Sequence, residues 1–361
     1  MKALFLEILN LFRKEKIYFF LLVAVLCFYS AIFFAHNKAL QKEQVPSQNM
    51  QRMELLLREV PQTPEIIEKR LENRPSLRWT IQIFSLFFIS CFMVGMWFGS
   101  SDLKRLFSRQ ELIPSSGRIL SINWGISDVL KVMILFFVTG LSLNLGLALL
   151  KLLLAHSKFL SSNLILVHTL LLDLIVIFFI ALIVRKKGST LQDVFGFSFK
   201  RIPFREVGWG MRTYCVILPI FIGILALLVL IATRLAYQPP PHPLVEVLLK
   251  EKVLSPWTLV ASIMVACVVG PIVEEIFFRG FFYPALRKYL GVGWTILGTA
   301  VLFAVVHENI FSFVPIFFLG VVLCYLYEKR SNLLACITLH LVHNTAFITY
   351  FFLMKSVFLD S

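Results

Sequence analysis

Charge is scarce in this chain. Only 16% of its 361 residues are Asp, Glu, Lys or Arg, and 21 acidic residues face 35 basic ones. A soluble domain carries roughly 25% charged residues, so a solvated surface on every side is excluded. The spacings that mark metal and redox proteins are also missing. Cys27, Cys91, Cys215, Cys267, Cys324 and Cys336 fall inside apolar runs with no Cys-x-x-Cys pair, which reads as buried thiols rather than a disulfide framework or a metal knuckle. No His-Glu-x-x-His motif occurs, because His307-Glu308 lacks its second His. There is no internal repeat and no low-complexity tract, and the first apolar run lacks the shorter apolar core and small-residue cleavage site of a removable signal peptide.

Hydrophobic residues are what is present. They make up 58% of the chain, with 36 Phe, against about 45–50% in soluble proteins. The apolar runs have the ~20-residue length that ~30 Å of hydrocarbon requires. They predict an all-α, polytopic transmembrane helical bundle of about nine spans: Ile17 to Ala35, Trp79 to Phe98, Val132 to Leu154, Leu164 to Val184, Tyr214 to Ala232, a sixth from Trp257, then Trp294 to Asn309, Ser312 to Tyr327 and Leu333 to Met354.

Between the first two spans, His36 to Arg78 is polar with mixed charge and reads as an extramembrane helical hairpin. One helix is expected around Asn49 to Val60, and another is opened by Thr63-Pro64-Glu65, an N-cap followed by proline at the first helical position. Gln238 to Pro243 reads as an extended linker.

Basic residues cluster in alternate loops: Lys104, Arg105, Arg109 and Arg118; Arg185, Lys186, Lys187, Lys200, Arg201 and Arg205; Arg287 and Lys288; Lys329 and Arg330. The positive-inside rule then gives a cytoplasmic N-terminus and an external C-terminus, in what is expected to be a bacterial inner membrane. The same clusters account for much of the +14 net charge. Anionic lipid is thus the expected partner of that surface, with no call for nucleic acid. Gly188 to Trp209, where Phe195, Phe197, Phe199 and Phe204 alternate with Lys200, Arg201 and Arg205, reads as an interfacial segment.

Chemistry concentrates late in the chain. Val273-Glu274-Glu275-Ile276-Phe277-Phe278-Arg279-Gly280 places two carboxylates and a guanidinium within or beside a span, where each ionised group costs about 2.5–3.5 kcal/mol or more. Glu275 and Arg279, four apart, share a helix face and can neutralise one another. Glu274 points roughly 100° away and has no counter-ion in its own helix. Phe303-x-x-x-His307 and His340-x-x-x-Asn344 follow on later spans. Counted at ~1.5 Å per residue from the basic loops, Glu274, His307 and His340 converge roughly 15–20 Å into the membrane, provided part of Gly280 to Leu290 turns along the interface.

A carboxylate in an apolar site is a competent general base near neutral pH, a neighbouring His can hold the water, and His and Asn donors can stabilise a tetrahedral oxyanion. The same Glu/His/His set suits zinc. The metal-free, cofactor-free reading is preferred, because the Arg279 charge lies one turn away.

The ordered set Glu-Glu-Ile-Phe-Phe-Arg-Gly, Phe303-x-x-x-His307 and His340-x-x-x-Asn344, over roughly Trp257 to Met354, resembles the CPBP family of CAAX proteases and bacteriocin-processing enzymes, related to the type II CAAX prenyl endopeptidase. The resemblance implies an intramembrane endopeptidase acting on a membrane-embedded or lipidated peptide or protein. Glu274 would activate water, His307 would assist, and His340 with Asn344 would form the oxyanion hole. Glu275, Arg279 and Phe303 would support the site. It also implies a core of about eight spans, which leaves the first span and the His36–Arg78 hairpin outside it. The chain is expected to divide into an N-terminal two-span unit with its loop (1–118), spans three to five (119–256) and a catalytic core (257–354).

His343 is a rival to His340 as the working imidazole. His168 and Asp173 in the fourth span are expected to satisfy one another or a neighbouring helix, while His156 and His242 read as solvated loop residues. Two other classes stand beside the enzyme: a proton-coupled transporter using an intramembrane Glu/Arg/His relay, and an idle scaffold or immunity protein that keeps the fold.

Overall fold

The computed structural model describes residues 2–42, 64–116, 122–153, 158–235, 237, 256–307 and 309–358. Among these there is no strand. The chain is a polytopic bundle of α1 (Lys2–Lys14), α2 (Lys16–Lys42), α3 (Pro64–Glu72), α4 (Pro75–Phe107), α5 (Ile126–Leu153), α6 (Lys158–Lys186), α7 (Leu191–Phe195) and α8 (Phe204–Arg234). There follow α9, continuous from Pro256 to Arg287, then α10 (Val292–Val305), α11 (Ile310–Arg330) and α12 (Leu333–Phe358).

Among the described residues, seven helices are long and apolar enough to cross a membrane: α4, α5, α6, α8, α9, α11 and α12. Shorter apolar helices, Lys16–Ala31 within α2 and Val292–Val305, occupy the first and seventh of the nine expected spans. The helix expected over 49–60, the 238–243 linker, His156 and His242 lie outside the described residues. The helix opened by Pro64 is present as α3. Not foreseen in the sequence was α1, an amphipathic helix that exposes Phe5, Leu6 and Leu9 and bonds through Glu7 to Ser127 and Tyr289.

At the centre stands α12. Half of its most apolar window is buried inside the protein, against 11% for α4, whose sides are left to lipid. Close helix approach is built on small residues. A Cβ on Gly210 of α8 would meet Ala335 O of α12 at 2.5 Å, and one on Gly280 of α9 would meet Val194 of α7 at 2.7 Å.

The path of α9 follows from its prolines. Pro271 and Pro284 each lack an N–H and crowd the carbonyl four residues earlier. The helix widens to π geometry just before Gly270-Pro271, over Val265–Val269, and again over Ile276–Phe282 before Pro284. Such wide turns recur at functional sites. The one turn of α-helix between them, Gly270–Glu275, carries both glutamates. Gly280 and Pro284, expected to let the chain turn along the interface, sit inside this unbroken helix, because the wide turn absorbs the strain that would otherwise break it.

The basic loops gather at one end of the bundle. Buried Arg330 clasps Glu206 through two nitrogens and donates to Pro114 O at 2.8 Å. Lys329 pairs with Glu111 at 2.9 Å, and that contact with Lys329 is the main reason the Glu111 carboxyl is held below its usual range. Lys187 pairs with Asp128, and Lys288 donates to Trp124 O at 2.7 Å.

Candidate active site

Glu275 and Arg279 are fully buried, and the expected i,i+4 pair is formed: Arg279 Nη1 donates to Glu275 Oε1 at 2.8 Å. The guanidinium also reaches Gly320 O of α11 at 3.4 Å and lies 4.4 Å from the centre of the Phe303 ring. Phe303 is itself buried. Its ring meets His307 at 5.0 Å and His340 at 5.8 Å between centroids, both edge-on. One aromatic side chain thus ties the α9 guanidinium to an imidazole at the end of α10 and another on α12.

His340 brings a contact that the spacing did not foretell. Its Nδ1 is 2.8 Å from the same Glu275 Oε1 that Arg279 holds. A carboxylate clasped by Arg279 has no proton to offer, so Nδ1 carries the hydrogen and donates. The other nitrogen, Nε2, is then turned toward Glu274, with Oε2 at 3.8 Å. That oxygen is buried and has no hydrogen-bond partner. Glu274, expected to lack a counter-ion in its own helix, instead faces an imidazole from across the bundle.

His307 Nδ1 lies 2.7 Å from Phe303 O. A carbonyl only accepts, so this nitrogen also bears the hydrogen, and Nε2 is left as the acceptor. Asn344 directs Nδ2 to Ala266 O at 3.1 Å, in the first wide turn of α9. That bond fixes the amide's orientation and leaves its second N–H and its oxygen for other work. His343 turns elsewhere, edge-on against Phe221 at 4.8 Å and Tyr214 at 6.3 Å, both on α8.

Sequence reasoning failed at His168 and Asp173. His168 Nε2 and Asp173 Oδ2 are both buried without partners. The two residues are five apart on α6, about 140° round the helix, which keeps them from bonding each other. Asp173 instead lies close enough to Glu274 to feel its charge. The available signal was the cost of an acid in so apolar a span, mean hydropathy 2.8.

The donor set fits zinc poorly. Among the described residues no three His, Cys, Asp or Glu side chains are grouped as a metal ion would need, and His340 Nδ1 is committed to Glu275.

Residues 256–346 match the family model described as type II CAAX prenyl endopeptidase Rce1-like. Over this segment the chain is similar to the CAAX proteases. The match takes in α9, α10, α11 and the first half of α12, and with them every residue of the three sequence motifs. It indicates a membrane-embedded peptidase with membrane-associated peptide substrates. No curated protein and no solved structure matches the chain.

Proposed function

We propose that this protein is an intramembrane endopeptidase that hydrolyses a peptide bond of a membrane-associated or lipidated protein with water activated by Glu274. The observation that carries the reading is the buried, unpartnered Glu274 Oε2 facing His340 Nε2 at 3.8 Å, within the segment that matches the CAAX proteases.

In this reading Glu274 takes one proton from water while Nε2 of His307 accepts the hydrogen bond of the other. The oxygen attacks the scissile carbonyl. His340 and the spare N–H of Asn344 receive the developing oxyanion. Because Nδ1 already donates to Glu275, Nε2 can donate only if His340 is an imidazolium. The site then balances: Glu274 and Glu275 are negative, Arg279 and His340 positive. As the water's proton moves to Glu274, the negative charge leaves the carboxylate and appears on the oxyanion beside the same imidazolium. Charge shifts within a fixed set of dipoles, which is where a dry site has its largest advantage over water.

The catalytic unit on this account is residues 257–354, with 1–118 and 119–256 packed around it, and the basic end of the bundle faces the cytoplasm. The test is cleavage of a lipidated, CAAX-ended peptide by the purified chain in proteoliposomes. Turnover supports the reading, and a chain that leaves such peptides intact in every lipid mixture contradicts it.

A further inference from the structure

Peptide hydrolysis needs a second proton step. The C–N bond breaks only as the departing nitrogen is protonated, since an amide anion is too poor a leaving group. In the proposed site His340 and Asn344 are occupied with the oxyanion, and Glu275 is held by Arg279 and His340.

Glu274 then holds the proton it took from water, and Asp173 offers a second carboxyl from which the nitrogen can take one. Its helix α6 packs against α5 and along α9 at all three levels of the site: the first turns, the glutamate turn and the second wide turn. Its Oδ2 is buried and bonded to nothing, as is Glu274 Oε2, and the two carboxyls interact electrically. The groups facing Asp173 can be enumerated. On α9, Glu275 and Arg279 neutralise each other and Arg287 pairs with Glu328, which leaves Glu274. On α5, Asp128 is paired with Lys187 and Lys131 with Glu15, both at the basic end, and Lys151 lies near the opposite end of the helix. On α6 itself His168 is about 140° round the helix. Arg185 and Lys186 sit in the last turn of α6, more than ten residues from Asp173, so among the described side chains no cation is set beside the Asp173–Glu274 couple on the side of α6. Two like charges in an apolar site are resolved by sharing one proton between the carboxyls.

We propose that Asp173 is the general acid of this site, a catalytic residue contributed from outside the matched domain. The proposal rests on the Glu274 mechanism above. The steps balance. Water gives a proton to Glu274 and its oxygen bonds to the carbonyl carbon, whose π electrons move onto oxygen. As the oxyanion collapses, the C–N bond breaks, and the nitrogen keeps the pair and takes the proton from Asp173. Products are a carboxylic acid and an amine. The proton on Glu274 then passes to the Asp173 carboxylate, and both groups are reset.

The experiment uses the full chain in proteoliposomes with two probes: a lipidated CAAX-ended peptide, and the same peptide with a nitrophenyl ester at the scissile position, whose leaving group departs unprotonated. Asp173→Asn keeps the shape and breaks no bond, so its abundance should be normal. Its kcat on the amide should fall at least ~10²-fold with KM nearly unchanged, the scale for loss of a general acid. Turnover of the ester should stay near wild type. The alkaline limb of the kcat/KM profile should lose the step that Asp173 contributes and keep the one that the His340 imidazolium requires, and Asp173→Glu should recover part of the amide rate and restore the lost step. An Asp173→Asn enzyme with wild-type kcat on the amide overturns the proposal. So does one that loses amide and ester turnover equally with both pH limbs intact, the mark of a structural role. Glu274→Gln run alongside separates the levels: if it is inactive while Asp173→Asn is normal, only the assignment of Asp173 fails, and if it too is fully active, the Glu274 mechanism itself fails.

Discussion

Glu275 Oε1 accepts from both Arg279 Nη1 and His340 Nδ1, each at 2.8 Å. One oxygen therefore does two jobs. It neutralises a guanidinium at the heart of the bundle, and it sets which nitrogen of His340 faces Glu274. The adjacent glutamates divide the work: the second orients the imidazole that the first one faces.

Removing either half of the buried pair should damage folding. Glu275→Gln or Arg279→Met leaves a fully buried charge uncompensated, a loss of about 3–5 kcal/mol. Membrane abundance and detergent melting temperature should both drop. The double variant should recover much of the abundance, since no lone charge remains, but not activity, because an amide can present its NH₂ as well as its oxygen and no longer fixes the hydrogen on His340 Nδ1. Normal abundance of both single variants contradicts the ion-pair assignment.

His340→Ala and Asn344→Ala should each lower kcat by ~10²–10³, the scale for an oxyanion donor. Asn344→Ala should reach the membrane in near-normal amount, whereas His340→Ala also removes a hydrogen bond to buried Glu275 and should lower abundance in part, so the rates are compared at matched protein amount. His343→Phe should keep most activity, since that ring already packs among the aromatics of α8. Loss with His343→Phe and retention with His340→Ala would reverse the assignment.

A strong chelator should leave turnover unchanged. Loss of activity in phenanthroline that added zinc restores would instead favour a metal centre built on the same side chains.

Much of this was legible in the sequence, because burial of charge in a membrane is so costly that the exceptions identify themselves. The spacing of Glu275 and Arg279 foretold their bond. The i,i+4 pairs Phe303/His307 and His340/Asn344 placed each couple on one helix face; in the structure Phe303 packs on Arg279 and on both imidazoles, His340 reaches Glu275 and faces Glu274, and Asn344 bonds Ala266 O of α9. What spacing within one helix could not give was contact between helices. The Glu275–His340 bond and the nearness of Asp173 to Glu274 depend on how α12 and α6 sit against α9. The wide turns were hidden for another reason: helix widening ahead of Pro271 and Pro284 leaves no mark in residue spacing, because in a packed bundle the chain relieves a proline by inserting a residue and remaining helical. The amphipathic α1 went unseen because attention to long apolar runs passes over a helix with one polar face.

The most direct measurement is the rate of Glu274→Gln at matched protein amount, on a membrane-delivered peptide in proteoliposomes. The substitution keeps the shape and hydrogen-bonding capacity of the side chain but cannot take a proton from water. The account predicts normal membrane abundance and a fall in cleavage of at least ~10²-fold. Cleavage at the wild-type rate would contradict it, and the transporter and scaffold readings would then stand in its place.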